Sequence, residues 1–113
     1  MAISYCDANE VRTIMITGRL DVDGANSVSA QLVELAQSAR KGVVVDLSTL
    51  KFLASIGIRA LVTSAKAVKG RGGRMALVVD SNSTVMMSIK ATGIDQLVPV
   101  FGSTPEAEKA AIA

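Results

Sequence analysis

Hydrophobic and polar positions change period several times along this 113-residue chain. The first segment, about Ile3–Asp7, and "VRTIMIT" (11–17), partly alternating and rich in β-branched residues, predict two strands joined by "ANE", with Gly18 ending the second. The period then lengthens. Val28, Leu32, Leu35 and Ala39 stand at i, i+4, i+7 and i+11, one face of a helix. Asp21, Asp23 and Asn26 are capping candidates at its start, and Arg40, Lys41 and Gly42 mark its end. "GVVVD" (42–46) and "RMALVVD" (74–80) are unbroken apolar runs, as expected of central strands covered on both faces. Between them Ile58, Leu61, Val62, Ala65 and Val68 predict a helix over 56–69, which makes a right-handed strand–helix–strand crossover.

"SNSTVMMSIKATGIDQL" predicts a further helix with Val85, Met86 and Ile89 inward and Gly93, followed by apolar Ile94, as its stop. "VPVF" (98–101) is a short last strand that Pro99 assigns to an edge. "GSTPEAEKAAIA" opens a C-terminal helix, with Thr104–Pro105 and Ser103–Glu106 as competing caps. The order ββαβαβαβα is of the α/β class: one domain over residues 1–113, with a mostly parallel, mixed sheet of four to five strands and about four helices. Sites on such sheets gather where strands end and helices begin, which here means "GRLD" and "DLSTLKFLAS".

Composition narrows the chemistry. Half the residues are apolar, yet only Tyr5, Phe52 and Phe101 are aromatic, so the core is aliphatic. A net charge of +2 without interleaved aromatics argues against nucleic acid. No apolar run approaches the ~20 residues of a membrane span, and the N-terminus lacks the pattern of a secretion signal. The lone Cys6 precludes an internal disulfide, suits a reducing compartment, and reads as a small buried hydrophobe in the first strand. The chain is expected to be cytoplasmic. With no histidine, Ser-His-Asp and Cys-His catalysis and most zinc sites are closed to it. We therefore expect no enzyme, no catalytic residue, no metal and no cofactor.

Two motifs have plain readings. "KGRGGR" (69–74) follows a helix and precedes a strand, the wrong order for a phosphate loop, so Gly70 reads as a helix stop and Gly72–Gly73 as a turn. Lys66, Lys69, Arg71 and Arg74 make a modest basic patch around it. Asp46, at the end of "VVVD", reads as a turn-forming aspartate.

Ser55 does not reduce so simply. It stands at the mouth of the helix among Leu53, Ala54 and Ile56. One reading makes it an N-cap worth about 1 kcal/mol. The other makes it a phosphoacceptor, because a helix start offers unpaired amides and a positive dipole end that hold a phosphate. Phosphorylation would bring a charge of about −1.5 to −2 into an apolar surface.

Three segments in order resemble the STAS domain family, in particular the bacterial anti-sigma-factor antagonists: "ITGRLDVDGANSV", "VVVDLSTLKFLASIGIRAL" and "ATGIDQLVPVFGSTPEAEKA". The resemblance implies a protein-binding regulator whose partner is an anti-sigma factor that is also a serine kinase. Unphosphorylated, such an antagonist binds the anti-sigma factor; phosphorylated, it lets go. Carried over, Ser55 takes the phosphoacceptor position, with Gly57 and Ile58 completing the motif and Asp21 beside it. The implied partner-binding residues are Asp21, Asp23, Ala54, Ile56, Gly57 and Arg59. Ala54 stands where the motif has aspartate and Ile56 where it has a second serine, which removes a like charge beside the phosphate and makes the surface more apolar. The altered motif also fits an alternative role, a non-phosphorylated scaffold subunit of a lipid transporter or another signalling complex. Neither role decides between a monomer and a homodimer.

Overall fold

The computed structural model describes residues 2–8, 10–20, 22–38, 42–53, 55–70, 72–80 and 83–112, with side chains for all of these except 2, 8, 18–20, 22–29, 52, 55 and 56. Strands β1 (Ala2–Ala8) and β2 (Val11–Leu20) form an antiparallel hairpin in which Ala8 pairs with Val11 and Glu10 takes φ 68°. Helix α1 (Val22–Ser38) leads to β3 (Gly42–Asp46), and β4 (Leu50–Leu53) leads to α2 (Ser55–Gly70). The chain continues through β5 (Arg74–Val78), α3 (Thr84–Thr92), α4 (Ile94–Leu97), β6 (Val100–Phe101) and α5 (Thr104–Ile112).

The strands lie in the order β1-β2-β3-β5-β6, all parallel except β1, and β4 pairs with the far end of β2. Alternation across this sheet makes two cores. Ile14, Ile16, Val43, Val45, Met75 and Leu77 face one side and pack against Leu32, Leu61, Val68, Ile89 and Ile94 from α1 to α4. Val11, Val44, Ala76 and Val78 face the other side and meet Ala107 and Ala111 of α5. The strands β3 and β5 are thus apolar on both faces because both faces are covered, as their unbroken Val and Leu runs predict. Each fully buried Val or Leu contributes about 1.5–3 kcal/mol of transfer free energy. Pro99 holds the edge as expected, and its carbonyl accepts from Leu77 N–H at 2.9 Å.

Arg12 ties the hairpin to α1. Its guanidinium donates to both carboxylate oxygens of Asp7 (2.7 and 2.9 Å), to Leu35 O (3.1 Å) and to Ser38 Oγ (2.7 Å), and lies 4.6 Å from the centre of the Tyr5 ring. The α1 carbonyl at Leu35, near the helix end where backbone acceptors go unpaired, gains a charged donor this way.

One glycine, Gly18, and one cysteine, Cys6, depart from the sequence reading. Gly18 does not end β2; the strand continues to Leu20 with a register shift between Gly18 and Arg19. Gly42 opens β3, as the run 42–46 predicts, and packs under α5. Cys6 is exposed rather than buried, since β1 is an edge strand and α5 packs over β2, β3, β5 and β6. Helix α2 ends at Gly70, as expected, and Gly72 lies in the turn beyond it with φ 83°. There Gly73 N–H donates to Val68 O (2.9 Å) and Gly72 N–H to Lys69 O (3.1 Å), the paired bonds of a Schellman motif. Gly93 does act as predicted, closing α3 at φ 75°, but the chain re-enters a short helix, α4.

The two glycines flanking that stop should respond oppositely to alanine. Gly70 has ordinary backbone angles and open space around a new Cβ, so Gly70→Ala should raise stability by about 0.5–1 kcal/mol. Gly72→Ala should lower it by about 1–2 kcal/mol, because an L residue pays for the left-handed angle. Urea midpoints of the two variants moving the same way would refute this account of the helix end.

Candidate functional site

The site forms where β2 and β4 run side by side. Arg19 pairs with Phe52 and Leu20 with Leu53, in parallel. β2 is described to Leu20 and α1 from Val22; β4 is described to Leu53 and α2 from Ser55. Adjacent strands lie about 4.8 Å apart, so this register sets the two strand-to-helix turns next to each other. The helices that follow, α1 and α2, pack against one another along the sheet. The segments "GRLD" and "FLAS", distant in sequence, therefore share one end of the molecule.

Ser55 opens α2, a helix of 16 residues with no acidic side chain in its first turn. Its N-terminal amides lack intrahelical partners and carry the positive end of the dipole. Gly57 is buried one residue beyond Ile56, Ile58 is half-buried and Arg59 is exposed. Asp21 and Ala54 lie outside the described residues, as do the side chains of Asp23, Ser55 and Ile56. The backbone thus brings the chain segments of the expected site together, and Gly57 and Arg59 are the members whose exposure is described.

The helix α3 adds a flank that the sequence alone did not assign to this end. Thr84 Oγ1 donates to Lys51 O of β4 at 3.3 Å. Met87, one turn on along the same face, is 70% exposed. The adjacency of Met86 and Met87 held a partial signal, since two neighbouring helix positions cannot both face the core: Met86 is half-buried and packs against it. On the turn before β4, Asp46 Oδ1 accepts from Ser48 N–H (2.9 Å) and Ser48 Oγ (2.6 Å), the turn-forming role expected of it.

Among the described residues no cluster of His, Cys, Asp and Glu could hold a metal ion, and no helix is long and apolar enough to cross a membrane. The basic patch at the far end of α2 borders a cavity of about 530 Å³ between α2, the start of β5, the end of α4 and α5. It lies away from the paired turns.

Comparison with known proteins matches this architecture. The chain is 24% identical to the anti-sigma-F factor antagonist RsfB of Mycobacterium tuberculosis over 95% of its own length and 86% of that protein's. The crystal structure of an anti-sigma factor antagonist from Mycobacterium paratuberculosis superposes with a TM-score of 0.87 at 22% identity, covering 97% of this chain and 92% of that one. The Bacillus cell fate determinant SpoIIAA in its phosphorylated form superposes with a TM-score of 0.70 at 18% identity, over 96% of this chain and 98% of that one. The family model described as Mlab, STAS domain matches residues 4–99. With that match running from within β1 through β5 and α1 to α4, the chain belongs to the STAS domain family.

Proposed function

We propose that this protein is an anti-sigma-factor antagonist that binds a kinase-type anti-sigma factor through the paired turns and is released by phosphorylation of Ser55. The observation that carries this reading is the Leu20–Leu53 register, which sets the start of α1 beside the start of α2, where Ser55 opens the helix. Support for the partner comes from RsfB, an antagonist over nearly the whole aligned length. Support for the switch comes from SpoIIAA, a protein of this fold known in a phosphorylated form.

The physics separates folding from binding. A phosphate at the first residue of α2 faces the positive end of the helix dipole, an arrangement worth about 0.3–1 kcal/mol in favour of the fold. The same phosphate must shed water when an apolar partner surface closes over it, which costs several kcal/mol for a charge left unpaired. The modified protein therefore stays folded and loses its partner. Asp21, Asp23, Ala54, Ile56 and the exposed Arg59 form the remainder of the proposed contact, Gly57 is buried beneath it rather than part of it, and Met87 extends it across α3.

Incubation with the cognate kinase and ATP, followed by intact-mass analysis, should add one phosphate to the wild type and none to Ser55→Ala. Equal modification of both proteins would end the assignment. The motif residues Ala54 and Ile56 favour a second reading, a standing scaffold subunit of a transporter or other complex. That reading predicts unphosphorylated protein from the native host, co-purifying with a membrane assembly.

A further inference from the structure

The cavity at the other end of α2 from Ser55 has the composition of a binding pocket rather than of a packing gap. The helix rises 1.5 Å per residue, so Lys69 lies about 21 Å from the phosphoacceptor along α2. The cavity, about 530 Å³, falls within the roughly 300–1,000 Å³ of small-molecule sites. Its lining divides into two parts. Leu97, Val98, Pro99 and Ala110 form an apolar wall, and Leu97 is 46% exposed, a large side chain left uncovered. Lys66, Lys69 and Arg74 supply three exposed cations, and among the described residues no acidic one lines the cavity.

Those cations are not spent on neighbours. Among the described residues the ion pair joins Arg12 to Asp7, and no carboxylate pairs with Lys66, Lys69 or Arg74. Lys69 alone would be accounted for as a basic residue in the last turn of a helix, where it offsets the dipole. Lys66 stands a turn earlier, and Arg74 is on a strand. The backbone amides of Gly73 and Val98 are bonded to Val68 O and Ile94 O, so recognition of a head group falls to the side chains.

We infer that this cavity binds a small amphipathic anion, with a carboxylate or phosphate head on Lys66, Lys69 and Arg74 and a single apolar chain against Leu97, Val98, Pro99 and Ala110. Charge complementarity selects the head, and the exposed apolar wall selects the tail. Neither part is sufficient: exposed ion pairs are worth under about 1 kcal/mol each, and the wall without a charged head would favour no orientation.

The test is titration of the full chain with decanoate and decyl phosphate below their aggregation thresholds, followed by amide NMR and thermal shift. Saturable shifts should appear at Leu97, Val98 and Ala110, with acetate, inorganic phosphate and decanol at least tenfold weaker. The double variant Lys66→Glu with Arg74→Glu should weaken binding at least tenfold while the unliganded melting temperature stays within a few degrees, and Leu97→Asp should do the same through the wall. Equal binding of decanol, equal binding of acetate, unchanged affinity in both variants, shifts located elsewhere, or no binding would each overturn the inference. Vesicles of anionic phospholipid distinguish the source: co-sedimentation that both variants abolish places the head group in a membrane, and its absence alongside decanoate binding points to a free amphiphile.

Discussion

Ser55→Glu should cut affinity for the anti-sigma kinase by at least tenfold, while Ser55→Ala binds within about twofold of wild type. The two substitutions differ by one buried charge. Alanine removes a hydroxyl from a position whose sequence neighbours Ala54 and Ile56 are both apolar, while Leu53 is buried in the core. Glutamate places a carboxylate there, and closing the partner over it without a matching cation costs more than the ~1.4 kcal/mol that a tenfold change represents. The fold itself should not suffer, because a negative side chain in the first turn of α2 complements the dipole and the wild type has none there. A calorimetric titration paired with a thermal melt separates the two effects. Unchanged affinity for the glutamate variant would remove charge as the basis of the switch, and a collapsed melting temperature would mean that the loss reflects unfolding.

Gly42→Ala should lower stability by about 1–3 kcal/mol, the range for forcing atoms into a packed site. A Cβ on Gly42 would sit 2.6 Å from the carbonyl oxygen of Ala111 and 2.9 Å from its Cβ. Either β3 or the end of α5 must move, and both are anchored: Gly42 N–H donates to Glu10 O at 3.1 Å, and Ala111 is buried against the sheet. Ala111→Gly should not rescue the variant, because the closer clash is with backbone and persists. Denaturant unfolding is the measurement, and a midpoint equal to wild type would show that α5 yields freely.

These two positions show where the sequence was legible. The runs "GVVVD" and "RMALVVD" announced central strands because each residue faces a covered layer, and β3 matches its predicted limits. The helix over 56–69 was equally clear from Leu61, Ala65 and Val68, all buried. What stayed hidden was non-local. β4 is four residues long, too short for alternation, and its partner is the part of β2 beyond Gly18. That Gly42 has no room for a side chain was hidden too, because a contact with Ala111, almost seventy positions later, leaves no local signature. Gly70 and Gly72 are both plausible stops by residue type, and only the φ of Gly72 separates them. Cys6 reads as apolar filling until the layer that would cover it is seen to pack elsewhere. At the site, Ser55 was legible as a hydroxyl at a helix mouth, whereas the neighbour supplied by β2 depended on a strand that periodicity could not show.

The pairing of Leu20 with Leu53 also constrains how this end of the molecule can vary. A slip of one residue between β4 and β2 would send Leu53, buried here, to the opposite face of its strand. Insertions and deletions within either strand are thus disfavoured, and divergence at this end proceeds by exchanging side chains on a frame of fixed length.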